Sequence, residues 1–347
     1  MRKKRSEGFR ASAYALMTLI TFAALVFCVS VGSVRIPIWD TVRVIWATVA
    51  RAPVPPDAAY PTIISSVRLP RVLCVALTGA ALSLSGGAMQ GLLKNPLADG
   101  STLGVSGGAS LGAVVAIAFG VSFPALPFAG TMIMAIIFAF LSLMFILFLS
   151  YRLDRSLSTH TIILIGVVFS MFVSSAMSVI ITFASDRVKQ ITFWTMGSLS
   201  GSTYRNAAAL AVALLVFGGA IFLRARELNA FAIGETNAGH LGIPVKRVKL
   251  SLLISVSGLI GVCVSIGGTI GFVGLVTPHI VRLIVGPNHK RLLPACAFGG
   301  AVFLMLSDLA ARTVLSPMEL PIGVVTSLVG AVLFVYIYAT TGRGSHA

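Results

Sequence analysis

Charged residues are scarce in this sequence. Only 10% of its 347 residues are Asp, Glu, Lys or Arg, whereas 57% are hydrophobic, and the mean hydropathy is +0.98. Soluble domains carry about 25% charged residues, so the composition excludes an ordinary soluble protein. Apolar runs of about 20 residues, the length that a helix needs to cross a membrane, recur along the chain. The sequence therefore predicts an all-α protein with many membrane spans.

Motifs for catalysis, redox chemistry and metal binding are also missing. The four cysteines show no C-x-x-C spacing, and the five histidines show neither H-E-x-x-H nor an i,i+4 pair. No G-x-S-x-G and no G-x-x-x-x-G-K-[ST] occurs. We therefore expect no enzyme activity, no metal site and no cofactor bound by this chain. If ATP drives its function, the ATPase is a separate protein.

The net charge of +16 at pH 7 does not indicate nucleic-acid binding, because no stretch interleaves Lys and Arg with aromatic residues. Basic residues of membrane proteins collect on the cytoplasmic side. The basic start MRKKRSEGFR precedes an apolar run at 11–34, which is longer than a signal-peptide core and lacks an A-x-A site. We interpret that run as a retained first span with a cytoplasmic N-terminus.

A single membrane domain over residues 1–347 is predicted, with about ten spans. An even number places both termini in the cytoplasm, and 17 of the 26 Lys and Arg residues then fall on that side, as the positive-inside rule requires. The predicted location is the inner or plasma membrane, with lipid around the chain. The spans are 11–34, 72–93, 103–121, 125–149, 161–184, 207–223, 250–266, 270–285, 292–311 and 320–338.

Two connecting segments are long. The outer segment 35–61 contains IWDTVRVIWATVA, which predicts a short interfacial helix. The inner segment 224–249 predicts two short helices, broken near Gly234 and Gly239 and stopped by Pro244. It is either a docking surface for another protein or a solvated connector.

Small residues and a few charges mark the interior of the predicted spans. Gly104, Gly108 and Gly112 fall four apart, a spacing that favours close helix packing around a pathway. Pro278 predicts a kink or a break in the eighth span. Arg312 follows Asp308 by four residues, so it either pairs with it or faces outward to a partner.

Six motifs together resemble the FecCD family, the permeases of ABC importers for iron–siderophores, haem and cobalamin. The resemblance covers about residues 60–340, and the family's ten spans and inner N-terminus agree with the topology above. It implies the type II ABC importer permease fold. The motifs are RLPR (68–71), GGAMQGLLKNPLAD (86–99), LGVSGGASLGA (103–113), GFVGLVTPHIVRLIVG (271–286), HKRLLP (289–294) and ELPIGVVTSLVGA (319–331).

The resemblance implies partners and residue roles. Expected partners are a second permease subunit (a copy or a close paralogue), two ABC ATPases that use ATP and Mg, and a substrate-binding protein. It implies that Arg68, Arg71 and Arg312 meet acidic residues of the binding protein. The cytoplasmic gate would include Ser158, Thr159 and His160. The loop that couples to the ATPase would include Gly234, Glu235, Gly239, Leu241, Gly242 and Pro244.

The cargo is not readable from the motifs, and we expect an iron–siderophore first, with haem or cobalamin as alternatives. A metal-ion ABC permease is a rival, although it would lack the RLPR and NPLAD motifs and have fewer spans. A secondary transporter is a second rival. It would place acidic residues near the membrane midplane, where Asp308 is the nearest candidate here.

Overall fold

The computed structural model describes residues 8–32, 34–53, 58, 60–100, 103–122 and 129–342, and regular structure within these ranges is helical throughout. Helix α3 continues a π-helical segment, Ile63–Arg68, and α8 and α9 are joined by another, Leu214–Gly218. The α-helices are α1 Ala11–Ser30, α2 Ile38–Ala50, α3 Leu69–Leu93, α4 Val105–Ala118, α5 Ala129–Leu153, α6 Thr159–Phe183, α7 Val188–Thr195, α8 Tyr204–Ala213, α9 Gly219–Leu223, α10 Ala225–Phe231, α11 Glu235–His240, α12 Val245–Gly267, α13 Val273–Val285, α14 His289–Thr313 and α15 Ile322–Gly342.

Seven helices in the described part of the chain are long and apolar enough to cross a membrane, as judged by length and composition. Three shorter apolar helices, Val105–Ala118, Val273–Val285 and Ile322–Ile337, lie at the other three predicted positions. Each of the ten predicted spans therefore overlaps an apolar helix, and the number of membrane crossings stays a prediction. The first four residues of the predicted span 125–149 lie outside the described residues.

The predicted interfacial helix is α2. One face is buried through Thr41, Val44 and Ile45, while Trp39 and Trp46 are 70% and 71% exposed. Tryptophan is enriched where a membrane meets water, so this amphipathic helix has the composition of an interfacial segment. Helix α7, in the segment between α6 and α8, was not predicted from the sequence.

Helices α3 and α14 pack so closely that their backbones touch. A Cβ atom on Gly79 would overlap the carbonyl group of Gly300, and a Cβ atom on Gly300 would overlap the carbonyl oxygen of Gly79. Only glycine fits at both positions, which is the small-residue packing expected inside membranes, where exclusion of water does not drive helices together. The two helices run along each other from Arg71 and Asp308 at one end to Gly91 and His289 at the other.

Two interruptions of the helices differ in detail from the sequence predictions. Gly104 precedes α4 with a left-handed φ of +69° and is not part of the helical face formed by Gly108 and Gly112. Pro278 lies within α13, and the non-helical stretch precedes that helix at residues 268–272. The break therefore lies before the proline, and α13 runs through Pro278.

Candidate functional site

Ionic side chains converge at one end of the α3–α14 pair, in what we call the arginine cluster: Arg68, Arg71, Asp308, Arg312 and Glu319. Arg71 lies at its centre. Its Nε and Nη2 donate to Asp308 Oδ1 at 3.1 and 2.9 Å, and its Nη1 donates to both carboxylate oxygens of Glu319 at 3.1 and 2.9 Å. Asp308 is 1% exposed and its second oxygen lies 2.9 Å from Arg312 Nε. One buried carboxylate is thus held between two guanidinium groups.

The other two arginines cap the C-terminal end of α1. Arg68 donates to the carbonyl oxygens of Val29, Ser30 and Val34 at 2.9, 3.1 and 2.6 Å. Arg312 donates to the carbonyl of Cys28 at 2.9 Å. The last carbonyls of a helix lack intrahelical partners and carry partial negative charge, so these cations satisfy and stabilise them.

Sequence reasoning placed Arg68, Arg71 and Arg312 at a docking surface, and the structure brings them together but buries them. Each is only 6–7% exposed. They line a cavity of about 140 Å³, whose rim includes Glu319 with 48% of its side chain exposed. Gly32 was missed: a Cβ there would lie 2.7 Å from Arg68 Nη2, so glycine makes room for the guanidinium.

At the other end of the α3–α14 pair, α10, α11 and the residue that follows them form a short helical hairpin, residues 225–241. Gly234 joins the two helices with φ +117° and ψ 144°, a region that only glycine adopts readily. Gly242 follows the hairpin with φ +81°. The predicted breaks at Gly234 and before Pro244 are therefore present, whereas Gly239 lies inside α11.

The hairpin exposes two large apolar side chains beside polar ones. Leu241 is 66% exposed and Ile233 is 59% exposed. A Cβ atom added to Gly239 would meet nothing within 4 Å, so the glycine is not required by this chain's own packing. Large apolar side chains exposed on a loop between predicted spans are candidates for an interaction surface where they form a contiguous patch. The coupling role of these residues stays a prediction.

A polar contact that sequence reasoning missed ties the hairpin to α14. Asn229 of α10 accepts hydrogen bonds through Oδ1 from the His289 backbone N–H at 2.8 Å, and contacts His289 Nδ1 at 2.9 Å. Its amide donates to Asn288 Oδ1 at 3.0 Å. The His289 ring fills the space where Gly91 of α3 has no side chain. The hairpin is thus joined to the same end of both α3 and α14.

The predicted gate residues follow an ordered turn between α5 and α6. Asp154 accepts hydrogen bonds from Ser156 and from the backbone N–H of Ser158 at 3.0 Å, and these bonds, led by that of the Ser156 hydroxyl, hold the pKa of the Asp154 carboxyl well below its usual range. Ser158 caps α6, and His160 is exposed. Thr159 donates to Glu235 of the hairpin at 3.0 Å. The gate role of these residues stays a prediction.

A cavity of about 470 Å³ lies where the α3–α4 and α12–α13 connections meet. Its lining includes Asp99, Ser110 and Thr269. Gly108 and Gly112 face away from it and pack against Ser142, Phe138 and Met134 of α5. These two glycines serve helix packing, and a role in lining a pathway stays a prediction for them.

A search of the described residues for metal-ligand clusters found no group of three His, Cys, Asp or Glu side chains. The four cysteines lie buried as free thiols.

The model of the FecCD transport family matches residues 19–340 of this sequence. The chain belongs to the FecCD transport family. Two similar proteins are the uncharacterized ABC transporter permease protein YvrB of Bacillus subtilis strain 168, and the cobalamin import system permease protein BtuC of Halobacterium salinarum. The first is 40% identical over 99% of this chain and 98% of its own length. The second is 37% identical over 86% of this chain and 79% of its own length.

Among solved structures, an inward-facing conformation of a putative metal-chelate type ABC transporter superposes with a TM-score of 0.82. The two chains are 29% identical, and the match covers 95% of this chain and 100% of that one. The resemblance inferred from the six motifs is therefore confirmed, and the chain is an ABC permease of the FecCD family. The names of these relatives refer to cobalamin and to an unspecified metal chelate, so the iron–siderophore cargo stays a prediction.

Proposed function

We propose that this chain is the transmembrane subunit of an ATP-driven importer for a metal chelate, with cobalamin as the favoured cargo. The observation that carries the proposal is the hairpin at residues 225–241, with its exposed Leu241 and Ile233, in a chain of the FecCD family. A permease has no ATPase of its own, so its driving force has to enter through such a surface. Expected partners are two ATPase subunits, a second permease subunit and a substrate-binding protein.

Cobalamin is favoured because relatives named as cobalamin or vitamin B12 permeases cover most of this chain at 37–40% identity. An iron–siderophore is the second candidate, supported by the metal-chelate description of the solved structure with a TM-score of 0.82. Haem is third. Both leading cargoes are large, rigid chelates, and the permease would provide a broad path with few specific contacts.

The decisive experiment is uptake into proteoliposomes that contain the permease with its ATPase, supplied with its binding protein. Labelled cobalamin and a labelled ferric siderophore are compared, with and without ATP inside. We expect ATP-dependent accumulation of cobalamin. Accumulation of the ferric siderophore but not of cobalamin would show that the cargo is an iron–siderophore. Accumulation of either cargo without ATP would contradict the proposal as a whole.

We also propose that the binding protein docks at the arginine cluster, although its three arginines are buried. Three guanidinium groups and two carboxylates leave a formal charge of +1 there. Glu319 is the half-exposed member, so an acidic side chain of the binding protein reaches Arg71 by displacing Glu319. The cluster then changes one carboxylate partner for another and never holds an unpaired buried cation, which would be costly.

A further inference from the structure

One lysine is buried in the second turn of α12. Lys249 is 1% exposed, although it belongs to a helix apolar and long enough to span a membrane. The neighbouring Lys246 and Arg247 are exposed. A charged side chain buried in a spanning helix is destabilising unless it is paired, and for that reason marks a functional position.

The Lys249 ammonium group joins two segments. Its Nζ lies 2.6 Å from Glu235 Oε2, in the first turn of α11. The same Nζ donates to the backbone carbonyl of Leu157 at 3.0 Å, in the turn before α6. The charge is therefore neutralised by the hairpin and held by the turn that carries the predicted gate.

The second carboxylate oxygen of Glu235 contacts the start of α6, directly after the same turn between α5 and α6. Glu235 Oε1 accepts the hydroxyl of Thr159 at 3.0 Å, at the start of α6. Both carboxylate oxygens are thus used, one by α12 and one by α6. Leu157 is 8% exposed and has a left-handed backbone with φ +53°, a conformation that persists only when its surroundings impose it.

We propose that Lys249 is a positioning residue that transmits movement of the hairpin to the α5–α6 turn through Glu235, Thr159 and the Leu157 carbonyl. The proposal rests on the proposed function, since it assumes that an ATPase moves the hairpin. A rotation of α11 that carries Glu235 away pulls on Thr159 and deprives Lys249 of its counter-charge. Because an unpaired buried ammonium group is unfavourable, the hairpin and the turn are stable only in arrangements that give Lys249 a counter-charge. The link therefore switches between discrete arrangements and does not deform gradually.

The alternative is a purely structural pair that keeps the hairpin folded. In that case a substitution would lower stability without changing how ATP hydrolysis is linked to uptake. The distinguishing quantity is the number of ATP molecules hydrolysed per cargo molecule imported. Transmission through Lys249 affects this ratio, whereas general loss of folded protein lowers both rates together.

The test uses the full complex of permease, ATPase and binding protein in proteoliposomes. Lys249→Met is compared with Lys249→Arg, which keeps the charge, and with Lys246→Met, which removes an exposed charge from the same helix. We expect Lys249→Met to raise the ratio at least about fivefold, the lower end of ordinary coupling effects. Lys249→Arg should restore most of the coupling, and Lys246→Met should leave the ratio unchanged. The ATPase should still co-purify with Lys249→Met.

Thr159→Val provides a second variant in case Lys249→Met fails to fold, because it removes one hydroxyl and retains the shape. It should raise the same ratio by a smaller factor. An unchanged ratio for both folded variants, with ATP-dependent import by the unmodified complex, overturns the relay and leaves the proposed function standing. Absence of ATP-dependent import by the unmodified complex overturns both.

Discussion

The two ends of the α3–α14 pair expose different kinds of side chain. In the arginine cluster every guanidinium group turns inward, to Asp308, Glu319 or the C-terminal carbonyls of α1. In the hairpin Asn229 and Glu235 bond to neighbouring segments, and the exposed side chains include the apolar Ile233 and Leu241 beside polar ones. The two ends therefore offer a partner different chemistry, a half-exposed carboxylate at Glu319 and large apolar side chains at the hairpin.

The largest effect is expected in the arginine cluster. Replacing Arg71 by Met removes two of the hydrogen bonds to Asp308, which is 1% exposed, and should lower the free energy of unfolding by about 3 kcal/mol or more. Thermal or denaturant unfolding of the purified permease in detergent measures it. Arg205→Met is the matched control, because Arg205 is exposed, and should stay within about 0.5 kcal/mol. An unchanged unfolding midpoint for Arg71→Met, together with weaker affinity for the binding protein, would show that Arg71 serves docking and not stability.

Next in size is the outer surface of the hairpin. Leu241→Glu places a charge where a 66% exposed apolar side chain is proposed to contact the ATPase. The affinity for the ATPase should fall by about 2 kcal/mol or more, roughly thirtyfold, as for other central contacts of interfaces. Titration of labelled ATPase onto the reconstituted permease measures this loss. Leu241→Met keeps the apolar surface and should bind normally. Normal binding by Leu241→Glu would show that the ATPase does not contact the hairpin at Leu241.

A glycine pair tests whether a partner approaches the hairpin closely. Gly239→Ala has open space around it inside a helix and should stabilise the isolated permease by about 0.5–1 kcal/mol. It should nevertheless weaken ATPase binding if the partner packs against that face. Gly234→Ala should be destabilising in the isolated chain, by about 1 kcal/mol or more, because its φ is +117°. Unfolding and binding are measured on the same preparations; unaltered binding by Gly239→Ala would argue for a wider gap there.

The smallest effect concerns Glu319, the half-exposed member of the arginine cluster. Glu319→Gln removes the carboxylate that a binding protein is proposed to displace, so affinity for that protein should rise, by up to about 1 kcal/mol. Surface plasmon resonance at two salt concentrations measures it, and the gain should shrink at higher salt. A loss of affinity would show that Glu319 itself takes part in docking.

The sequence was most informative about the spans and least informative about which side chains face each other. Apolar length located helices such as α5 and α6 to within a few residues, because burial in lipid requires it. The Asp308–Arg312 ion pair was visible as an i,i+4 spacing. Arg71 reaches Asp308 across 237 positions of sequence, and no local pattern encodes that distance.

Two features of single residues could not be predicted from local sequence. Gly104 fits the four-residue spacing of Gly108 and Gly112, but its backbone turns before the helix begins, so periodicity alone could not exclude it. Lys249 is one of three basic residues in the segment 246–249, and nothing in that segment distinguishes it from the exposed Lys246 and Arg247.

The close backbone contact between Gly79 and Gly300 makes α3 and α14 move as one rigid body. A helix of 25 residues such as α14 is about 37 Å long, so a tilt of about 5° at its start would swing its far end by about 3 Å. The start of α14, at His289, contacts the hairpin, and its other end carries Asp308 and Arg312. A displacement of that size equals a hydrogen-bond length. Small rotations at the hairpin would therefore be enough to break the hydrogen bonds that Arg68 and Arg312 donate to the C-terminal carbonyls of α1 at the opposite end.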